Sequence, residues 1–295
     1  MLLVPHSPML EASVIVPTRA RPDYLRVALE SLLGQDADPG TFEVVVVDDG
    51  PGEATRAVAE RAAGRTAVGV RYVEREGIAG LNSARNTGIA AARAPFVVFV
   101  DDDVEAPAGW LRALLEGRRR HPDALVLGGP IAVRLEGFAL PLCGREPPPI
   151  TALDEGPADR EVEVVWGANM GIERRAFELA GTFDPGVPYG FDEDMWERRL
   201  RERGGRVVYV AGAGLVHRRD PRDSRLGALM RAAYRRGRAL RAYSVHRGRA
   251  PSLARELRWL AGCFAHTFRY RCANGLLLTA HSAGRIAALL RGARG

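Results

Sequence analysis

Short apolar runs alternate with segments of helical periodicity through the first hundred residues of the chain. The runs have the length of β-strands, and the segments between them repeat apolar residues every three or four positions, as amphipathic helices do. The predicted strands are Ser13–Pro17, Phe42–Val47, Val68–Val73 and Phe96–Val100, and the predicted helices are Arg21–Gln35, Glu53–Ala63 and Gly80–Ala92. Repeated β-α units of this kind predict a parallel sheet with right-handed crossovers.

The second half of the chain has a less regular pattern. The predicted helices are Trp110–Arg120, Arg174–Ala180 and Glu193–Arg203, and the predicted strands are Leu125–Leu127, Glu161–Trp166 and Arg206–Val210. The proline-containing stretch Leu135–Pro157 predicts a long loop. From Leu226 onward the periodicity predicts two or three helices, with breaks around Arg247–Pro251 and near Gly275.

These elements indicate an α/β protein, with a mainly parallel mixed sheet flanked by helices and a helical C-terminal extension. The predicted boundaries are 12–221 for the α/β domain and 222–295 for the extension. A chain of 295 residues can bury one sizeable core of this kind.

Neither a membrane-spanning helix nor a signal peptide is predicted. The chain has no apolar stretch of about 18 residues, and its N-terminus lacks a basic region ahead of a long apolar core. Its three cysteines, Cys143, Cys263 and Cys272, are scattered without CxxC spacing. This usage is typical of a reducing compartment, so we expect a cytoplasmic protein.

Charge is distributed unevenly along the chain. From Arg222 onward, sixteen arginines against two acids give a charge of +14, so the preceding part carries −8 within the net +6. An amphipathic stripe runs through the first predicted helix of this tail, formed by Leu226, Leu229, Met230, Ala233, Ala239, Leu240 and Tyr243. A basic amphipathic helix can lie on anionic lipid, as a peripheral membrane contact, or the stripe can pack on the α/β domain. No nucleic-acid-binding motif is present.

The acidic triplet Asp101-Asp102-Asp103 directly follows the apolar run Phe96–Val100. An acidic triplet is often a solvated turn. Here it follows a strand of buried type, at the sheet edge where open α/β proteins place their ligands. Mg²⁺ and Mn²⁺ prefer oxygen ligands and bind through carboxylates together with substrate phosphates. The triplet therefore predicts a site for a divalent cation and a diphosphate-activated donor.

A second acidic pair, Asp48-Asp49, ends the second predicted strand and precedes Gly50. A carboxylate at this edge can accept hydrogen bonds from a nucleobase N–H or a ribose hydroxyl, or it can close an Asx turn. Neither the GxGxxG fingerprint nor the P-loop pattern occurs in the chain. A bound nucleotide would therefore be held in another way.

Several short motifs occur in a characteristic order. They are Val14–Thr18, Val45–Gly50, Ala84–Asn86, Phe99–Asp103, Trp166–Gly171, Gly181–Asp184 and Asp192–Asp194. Taken together, they resemble the family 2 glycosyltransferases of the Rossmann-like GT-A fold, from about Ala12 to His217. The resemblance implies an inverting glycosyltransferase that uses a nucleoside diphosphate-sugar, an acceptor hydroxyl and Mg²⁺ or Mn²⁺.

The resemblance also implies roles for residues on the donor side of the site. Asp101 and Asp103 would form the DxD pair, with Asp103 on the metal and Asp101 at the ribose or the metal shell. The late His217 would complete that shell, although a lone histidine is more often structural. The nucleotide would be bound by Pro17, Thr18, Arg19, Asp49 and the middle carboxylate Asp102. Arg85 would contact the diphosphate, or serve as a surface or packing residue.

An inverting transfer needs a base on the acceptor side, and Asp192-Glu193-Asp194 supplies the candidates. Glu193-Asp194 matches the residue types of the family's Glu-Asp pair. However, the spacing to the following Arg199-Leu200 is one residue short, which places Glu193 at the base position. Both residues stay open as the base. Acids at a helix N-terminus also stabilise the helix without any catalytic role.

The acceptor side is predicted to include Trp166, Gly167 and Asn169. Trp166 would stack on a sugar ring or fill the core, Gly167 would allow close approach, and the Asn169 amide would bind hydroxyls. The acceptor itself could be a glycan, a lipid-linked sugar or a small aglycone. The alternatives to a glycosyltransferase are a nucleotidyltransferase acting on sugar phosphates and a catalytically inactive membrane-associated scaffold.

Overall fold

The computed structural model describes residues 9–137, 143–145, 149–187 and 190–292. The start of the chain and parts of the predicted loop 135–157 lie outside these ranges. Contacts within the chain divide it into two compact units. The first comprises Met1–Ala132, Ala152–Gly186 and Asp192–His217, and the second comprises Val133–Thr151, Val187–Phe191 and Arg218–Gly295. The division at residues 221 and 222 stays a prediction.

An eight-stranded sheet forms the centre of the first unit, in the order β3-β2-β1-β4-β9-β6-β10-β8. Its strands are β1 (Ala12–Thr18), β2 (Phe42–Asp48), β3 (Gly69–Glu74), β4 (Phe96–Val100), β6 (Ala124–Gly128), β8 (Arg160–Glu161), β9 (Asn169–Glu173) and β10 (Arg206–Tyr209). β1 to β4 are parallel, β9 runs antiparallel to both β4 and β6, and β10 is parallel to β6. The predicted mixed, mainly parallel sheet is confirmed.

Helices cover the sheet on both faces. The helices of the first unit are α1 (Pro22–Leu33), α2 (Glu53–Ala63), α3 (Leu81–Ala91), α4 (Trp110–Arg120), α5 (Arg174–Ala180) and α6 (Asp192–Arg201). Successive residues of β1 point to opposite faces: Val14 joins the apolar cluster of Leu25 on α1, and Ile15 joins that of Ile89 on α3. This double covering explains why the central strands are apolar throughout.

A smaller sheet of β5 (Val104–Glu105), β11 (Leu215–Arg219) and β7 (Ile131–Leu135) lies beyond the end of β4. β5 and β11 are antiparallel, and His217 is paired with Val104. Because Val104 immediately follows the acidic triplet, this pairing carries His217 to Asp103 although they are more than a hundred residues apart in sequence.

Three helices make up most of the second unit: α7 (Leu226–His246), α8 (Leu253–Tyr270) and α9 (Asn274–Gly292). The predicted breaks near 247–251 and 275 are confirmed. α7 and α9 pack backbone to backbone, since a Cβ at Gly237 would overlap the carbonyl of His281, and one at Gly284 that of Tyr234. Among the described residues, no helix is both long and apolar enough to cross a membrane.

In the middle of the chain, one predicted strand is wrong in extent and one observed strand was not predicted. The strand predicted over Glu161–Trp166 is limited to Arg160–Glu161, because the Val165 N–H donates to the Glu197 carboxylate rather than to a neighbouring strand. β9 was not predicted, since Gly171 interrupts its apolar pattern. A Cβ at Gly171 would overlap the Phe96 ring, so the glycine makes room for the aromatic core.

Candidate active site

The carboxyl ends of β1, β2 and β4 meet at one edge of the sheet, as the parallel order requires. The predicted donor-side residues lie here. Pro17 is buried within β1, and Thr18 donates a hydrogen bond of 2.7 Å from its hydroxyl to Asp102 Oδ2. Arg19 follows with an exposed side chain, 3.4 Å from Asp49 Oδ2. The structure therefore brings these residues to the edge at which the acidic triplet begins.

Three metal-ligating side chains converge at this edge: Asp101, Asp103 and His217. One ligand atom from each lies within 4.8 Å of the other two. His217 Nε2 is 2.9 Å from Asp103 Oδ1, and both side chains are almost completely buried. Two carboxylates and an imidazole at this separation form a ligand set suited to a divalent cation.

Negative charge is concentrated in the cluster. Burial, together with the neighbouring Asp103, raises the pKa of Asp101, although His217 and Arg85 oppose the shift. Burial also raises the pKa of Asp102 to about 7, against the opposing effect of Arg21. Adjacent carboxylates with raised pKa values are stabilised in their ionised form by an added cation. The residues present therefore fit a divalent metal.

Arg21 also lies at this site, a position that the sequence motifs did not predict. Its guanidinium donates 2.6 Å to Asp102 Oδ1 and 2.8 Å to Asp103 Oδ2, and its side chain is 32% exposed. Its role could have been inferred from its position in the loop after β1, because this loop lies at the carboxyl edge of the sheet. A partly exposed guanidinium beside a candidate metal site can also bind phosphate.

Asp49 accepts hydrogen bonds from several donors. Its Oδ1 atom accepts 2.8 Å from the Gly80 N–H and forms an ion pair of 2.7 Å with Arg75 Nε, while Oδ2 has the longer contact with Arg19. Gly80 has φ +145°, a conformation that other residues rarely adopt. The Asx turn belongs to the preceding Asp48, whose Oδ1 accepts from the Gly50 N–H at 3.0 Å.

Arg85 fits the packing alternative rather than the predicted contact with the diphosphate. Its side chain is 1% exposed and forms ion pairs with Asp192 Oδ2 and, at 2.6 Å, with Glu193 Oε1. The guanidinium also lies over the Phe183 ring, 5.2 Å from its centroid. A direct contact with a donor diphosphate is inconsistent with this burial, and so is a surface role. Arg85 instead joins α3 to the start of α6 and so positions the acidic segment.

Of the two predicted base candidates, Glu193 is buried and Asp194 is half-buried in the first turn of α6. Burial alone would raise the pKa of Glu193, but the Arg85 guanidinium outweighs it and holds that pKa below its ordinary value. The charges of Arg85 and Glu193 also act on the pKa of Asp101. Glu193 is therefore an ionised carboxylate near the metal-ligating cluster.

Gly167 lies against the pair formed by Arg85 and Glu193, where a Cβ would overlap Arg85 Nη2 and Glu193 Oε1. Trp166 is half-buried and packs on the apolar core. Asn169 was predicted to bind the acceptor, but its side chain is completely buried.

The Asn169 amide is hydrogen-bonded within the protein. Its oxygen accepts from Trp110 Nε1 at 2.9 Å, and its nitrogen donates to the carbonyls of Ala213 and Pro130. These bonds tie β9 to the neighbouring loops, so the predicted contact between Asn169 and an acceptor does not fit the structure.

Comparisons with known proteins agree with this architecture. Residues 13–180 match the family model described as glycosyl transferase family 2. A pre-mycofactocin glycosyltransferase of Mycobacterium tuberculosis is 30% identical over 230 residues, which cover 72% of this chain and 44% of that protein. A glucosyl-dolichyl phosphate glucuronosyltransferase of Haloferax volcanii is 25% identical over 221 residues, covering 71% of this chain and 69% of its own.

A mannosyltransferase of Pyrobaculum calidifontis, solved in complex with GDP-Man and Mn²⁺, superposes with a TM-score of 0.61 at 20% identity. The superposition covers 97% of this chain and 75% of the other, and it confirms the predicted GT-A fold. The chain spans less than half the length of its mycobacterial relative. Since the family model covers more than half of the chain, the protein belongs to glycosyl transferase family 2.

Proposed function

We propose that the protein transfers a glycosyl group from a nucleoside diphosphate-sugar to an acceptor hydroxyl, with a divalent metal at the DxD pair. The observation that carries this proposal is the convergence of Asp101, Asp103 and His217 within 4.8 Å at the carboxyl edge of the sheet. The match to a family of glycosyl transferases favours this activity over the alternative of a nucleotidyltransferase.

Asp101, Asp103 and His217 would hold the metal, and when bound it would act as a Lewis acid that offsets charge on the leaving diphosphate. Imidazole suits Mn²⁺ better than Mg²⁺, because it is a softer ligand than oxygen. We therefore expect Mn²⁺ to support turnover better than Mg²⁺. The structurally similar mannosyltransferase was solved with Mn²⁺, which supports the same choice.

The donor would be bound by side chains around the cluster. Asp49 would accept the ring N–H of the base through Oδ2, the oxygen with the longer contact. Thr18 already holds Asp102 in place through its hydroxyl. Arg21, pairing with Asp102 and Asp103, would add positive charge for the diphosphate. These assignments account for nucleotide binding without a glycine-rich phosphate loop.

Glu193 is proposed as the base. It would take the proton of the acceptor hydroxyl while the acceptor oxygen bonds to the anomeric carbon and the bond to the nucleoside diphosphate breaks, with inversion. The Arg85 ion pair keeps its carboxylate ionised and ready to accept that proton. Gly167 provides the space that this pair occupies, because a Cβ at residue 167 would overlap both side chains. Asp194 is the competing candidate.

A contact with anionic membrane surfaces is also proposed, with α8 as the contacting element. The α7 stripe predicted for this role is partly used inside the helical unit, since Leu229 and Ala233 are buried. By contrast, one face of α8 exposes Leu257, Phe264 and Phe268, the last at 68%. Arg258 and Arg269 occupy neighbouring exposed positions. Exposed aromatic residues beside arginines suit the headgroup boundary of an anionic bilayer.

The proposed activity is tested by donor hydrolysis across a panel of nucleotide sugars, with Mn²⁺, Mg²⁺ or EDTA. We expect turnover that requires a divalent metal and falls at least about a hundredfold in Asp103→Asn, because the metal loses a charged ligand. The matched control is Asp123→Asn, which changes an exposed aspartate and keeps wild-type turnover. Full metal-dependent turnover in Asp103→Asn would refute the assignment.

A further inference from the structure

A second cluster of metal-ligating side chains lies in the C-terminal unit and plays no part in the proposed transfer. It consists of Cys143, His266 and Cys272, whose ligand atoms lie within 4.8 Å of one another. Cys143 Sγ is 3.1 Å from His266 Nε2, and the Cys143 N–H donates to Cys272 Sγ at 3.2 Å. The local sequence spacing concealed this cluster, since Cys143 is more than a hundred residues from the other two.

The turn between α8 and α9 fixes the position of Cys272. Arg271 ends α8 in the left-handed conformation, with φ +45°, and the Cys272 N–H then donates to the Thr267 carbonyl. The sulfur is buried and accepts backbone N–H bonds from Cys143 and Asn274. Two N–H donors directed at one sulfur favour the thiolate, which is the form that binds metals.

The charge state of Cys272 agrees with this geometry. Burial disfavours the thiolate, but hydrogen bonds from Cys143 and His266 outweigh it and lower the pKa of Cys272 to about 6.

We propose that Cys143, His266 and Cys272 bind a Zn²⁺ ion, with water as the fourth ligand. Sulfur and imidazole nitrogen are the ligands that Zn²⁺ prefers, whereas Mg²⁺ and Mn²⁺ favour oxygen. Cys143 and His266 are half-buried, so an ion can enter and a water molecule can complete a tetrahedral shell. The imidazole beside both sulfurs favours a metal site over a Cys143–Cys272 disulfide.

The ion would link the segment 143–145 to the end of α8. Contacts already hold this segment there: the Arg145 guanidinium lies 4.3 Å from the centroid of the Tyr270 ring, which in turn packs edge-on against His266. Binding to a site that requires the folded turn stabilises the fold by mass action. Zn²⁺ should therefore raise the Tm of the full chain.

The test uses the full chain, purified with reductant, stripped of metal, and titrated with Zn²⁺ against a chromophoric chelator and then with Co²⁺. We expect one tightly bound Zn²⁺ per chain and a thiolate-to-Co²⁺ charge-transfer absorption. This absorption requires sulfur ligands, so Co²⁺ bound at Asp101 and Asp103 does not contribute to it. Cys143→Ser and His266→Gln should each weaken Zn²⁺ binding by at least about tenfold.

Cys263→Ser is the matched control, because Cys263 is a buried cysteine on α8 that does not belong to the described cluster. It should retain Zn²⁺ binding and the Co²⁺ absorption. Unchanged Zn²⁺ affinity in Cys143→Ser would overturn the proposal. The absence of a Co²⁺ charge-transfer band from the reduced, folded wild-type chain would also overturn it, whether or not Cys143 and Cys272 form a disulfide when the chain is later exposed to air. Circular dichroism of each variant confirms that it is folded.

Discussion

At the scale of single residues, the proposed acceptor side depends on one buried arginine and one glycine. Arg85 pairs with Asp192 and Glu193, and Gly167 provides the space in which that arrangement fits. Removing either partner of a buried ion pair leaves an uncompensated charge, which costs about 3–5 kcal/mol. The same pair fixes the carboxylate that we propose as the base, so stability and catalysis are coupled here.

Gly167→Ala should disturb this pair without changing any charge. Its added methyl group would overlap Arg85 and Glu193, so we expect turnover to fall at least about tenfold and stability to fall by about 1–3 kcal/mol. Gly212→Ala is the matched control, because a Cβ there meets only an ordinary contact of 3.7 Å with Ala113. Steady-state kinetics and urea unfolding measure both effects. Equal turnover and equal stability of the two variants would contradict the proposed packing.

The choice between the two base candidates is also made at this scale. Glu193→Gln should lower kcat by about 10²–10⁴-fold, the usual contribution of a general base, while the KM for the donor changes little. Asp194→Asn should stay within about threefold of wild type. The reverse order, measured by steady-state transfer to an acceptor, would assign the base to Asp194. Because Glu193→Gln loses its ion pair with Arg85, circular dichroism must show that this variant is still folded.

At the scale of elements, sequence patterns predicted those parts of the fold that depend on local burial. β1, β2 and β4 are covered on both faces, so their apolar runs were visible in the sequence. β9 was not visible, because Gly171 accommodates a ring from the neighbouring strand. The hydrophobic pattern of one segment does not reveal which side chains of another segment pack against it.

The same reasoning applies to the candidate site. Asp101, Asp103 and His217 were predicted from ordered motifs, and the structure brings them together. Arg21 was missed, Asn169 was given a wrong contact, and the two alternatives for Arg85 stayed open, because the roles of these residues depend on partners far away in sequence. Residue type alone does not reveal whether an arginine faces a ligand or a buried carboxylate.

Helix α6 carries a further buried acid, Glu197, whose carboxylate accepts the Val165 N–H. Burial raises its pKa well above the ordinary value of 4.5. The folded state therefore retains a proton that the unfolded chain releases above that value. The stabilisation is complete below pH 4.5 and is lost as the pH rises toward the folded-state pKa.

Glu197→Gln removes this titration while keeping the shape of the side chain. We expect the variant to be more stable than wild type at pH 8, because it has no buried carboxyl group that must keep its proton above its ordinary pKa, and the difference should shrink toward pH 5. Thermal unfolding across this pH range measures the difference. Glu178→Gln, on the exposed face of α5, should keep the wild-type profile. A pH-independent difference for Glu197→Gln would contradict the assignment.

At the scale of the whole molecule, charge and exposed apolar surface are concentrated toward the C-terminus. The chain carries +14 from residue 222 onward, and α8 within this part exposes two phenylalanines whose rings contact each other at 4.9 Å. Attraction to anionic lipid and insertion of aromatic side chains would act together at such a surface.

The membrane proposal predicts flotation of the protein with phosphatidylglycerol-containing vesicles at low salt. The double variant Phe264→Glu, Phe268→Glu should lose this binding, because it places charge on the inserting face. Leu179→Glu, which alters an exposed leucine of α5, should still float. Donor hydrolysis in solution should be unaffected in all three proteins. Vesicle binding that persists in the double variant would exclude α8 as the contact.

The central claim concerns a metal ion held by side chains from distant parts of the chain, and Mn²⁺ binding measures it most directly. Electron paramagnetic resonance of free Mn²⁺, titrated with protein and a nucleoside diphosphate, counts bound ions. We predict one Mn²⁺ per chain in wild type and in Asp123→Asn, with loss of at least about tenfold in affinity in His217→Ala and in Asp103→Asn. Undiminished Mn²⁺ affinity in both cluster variants would contradict the account.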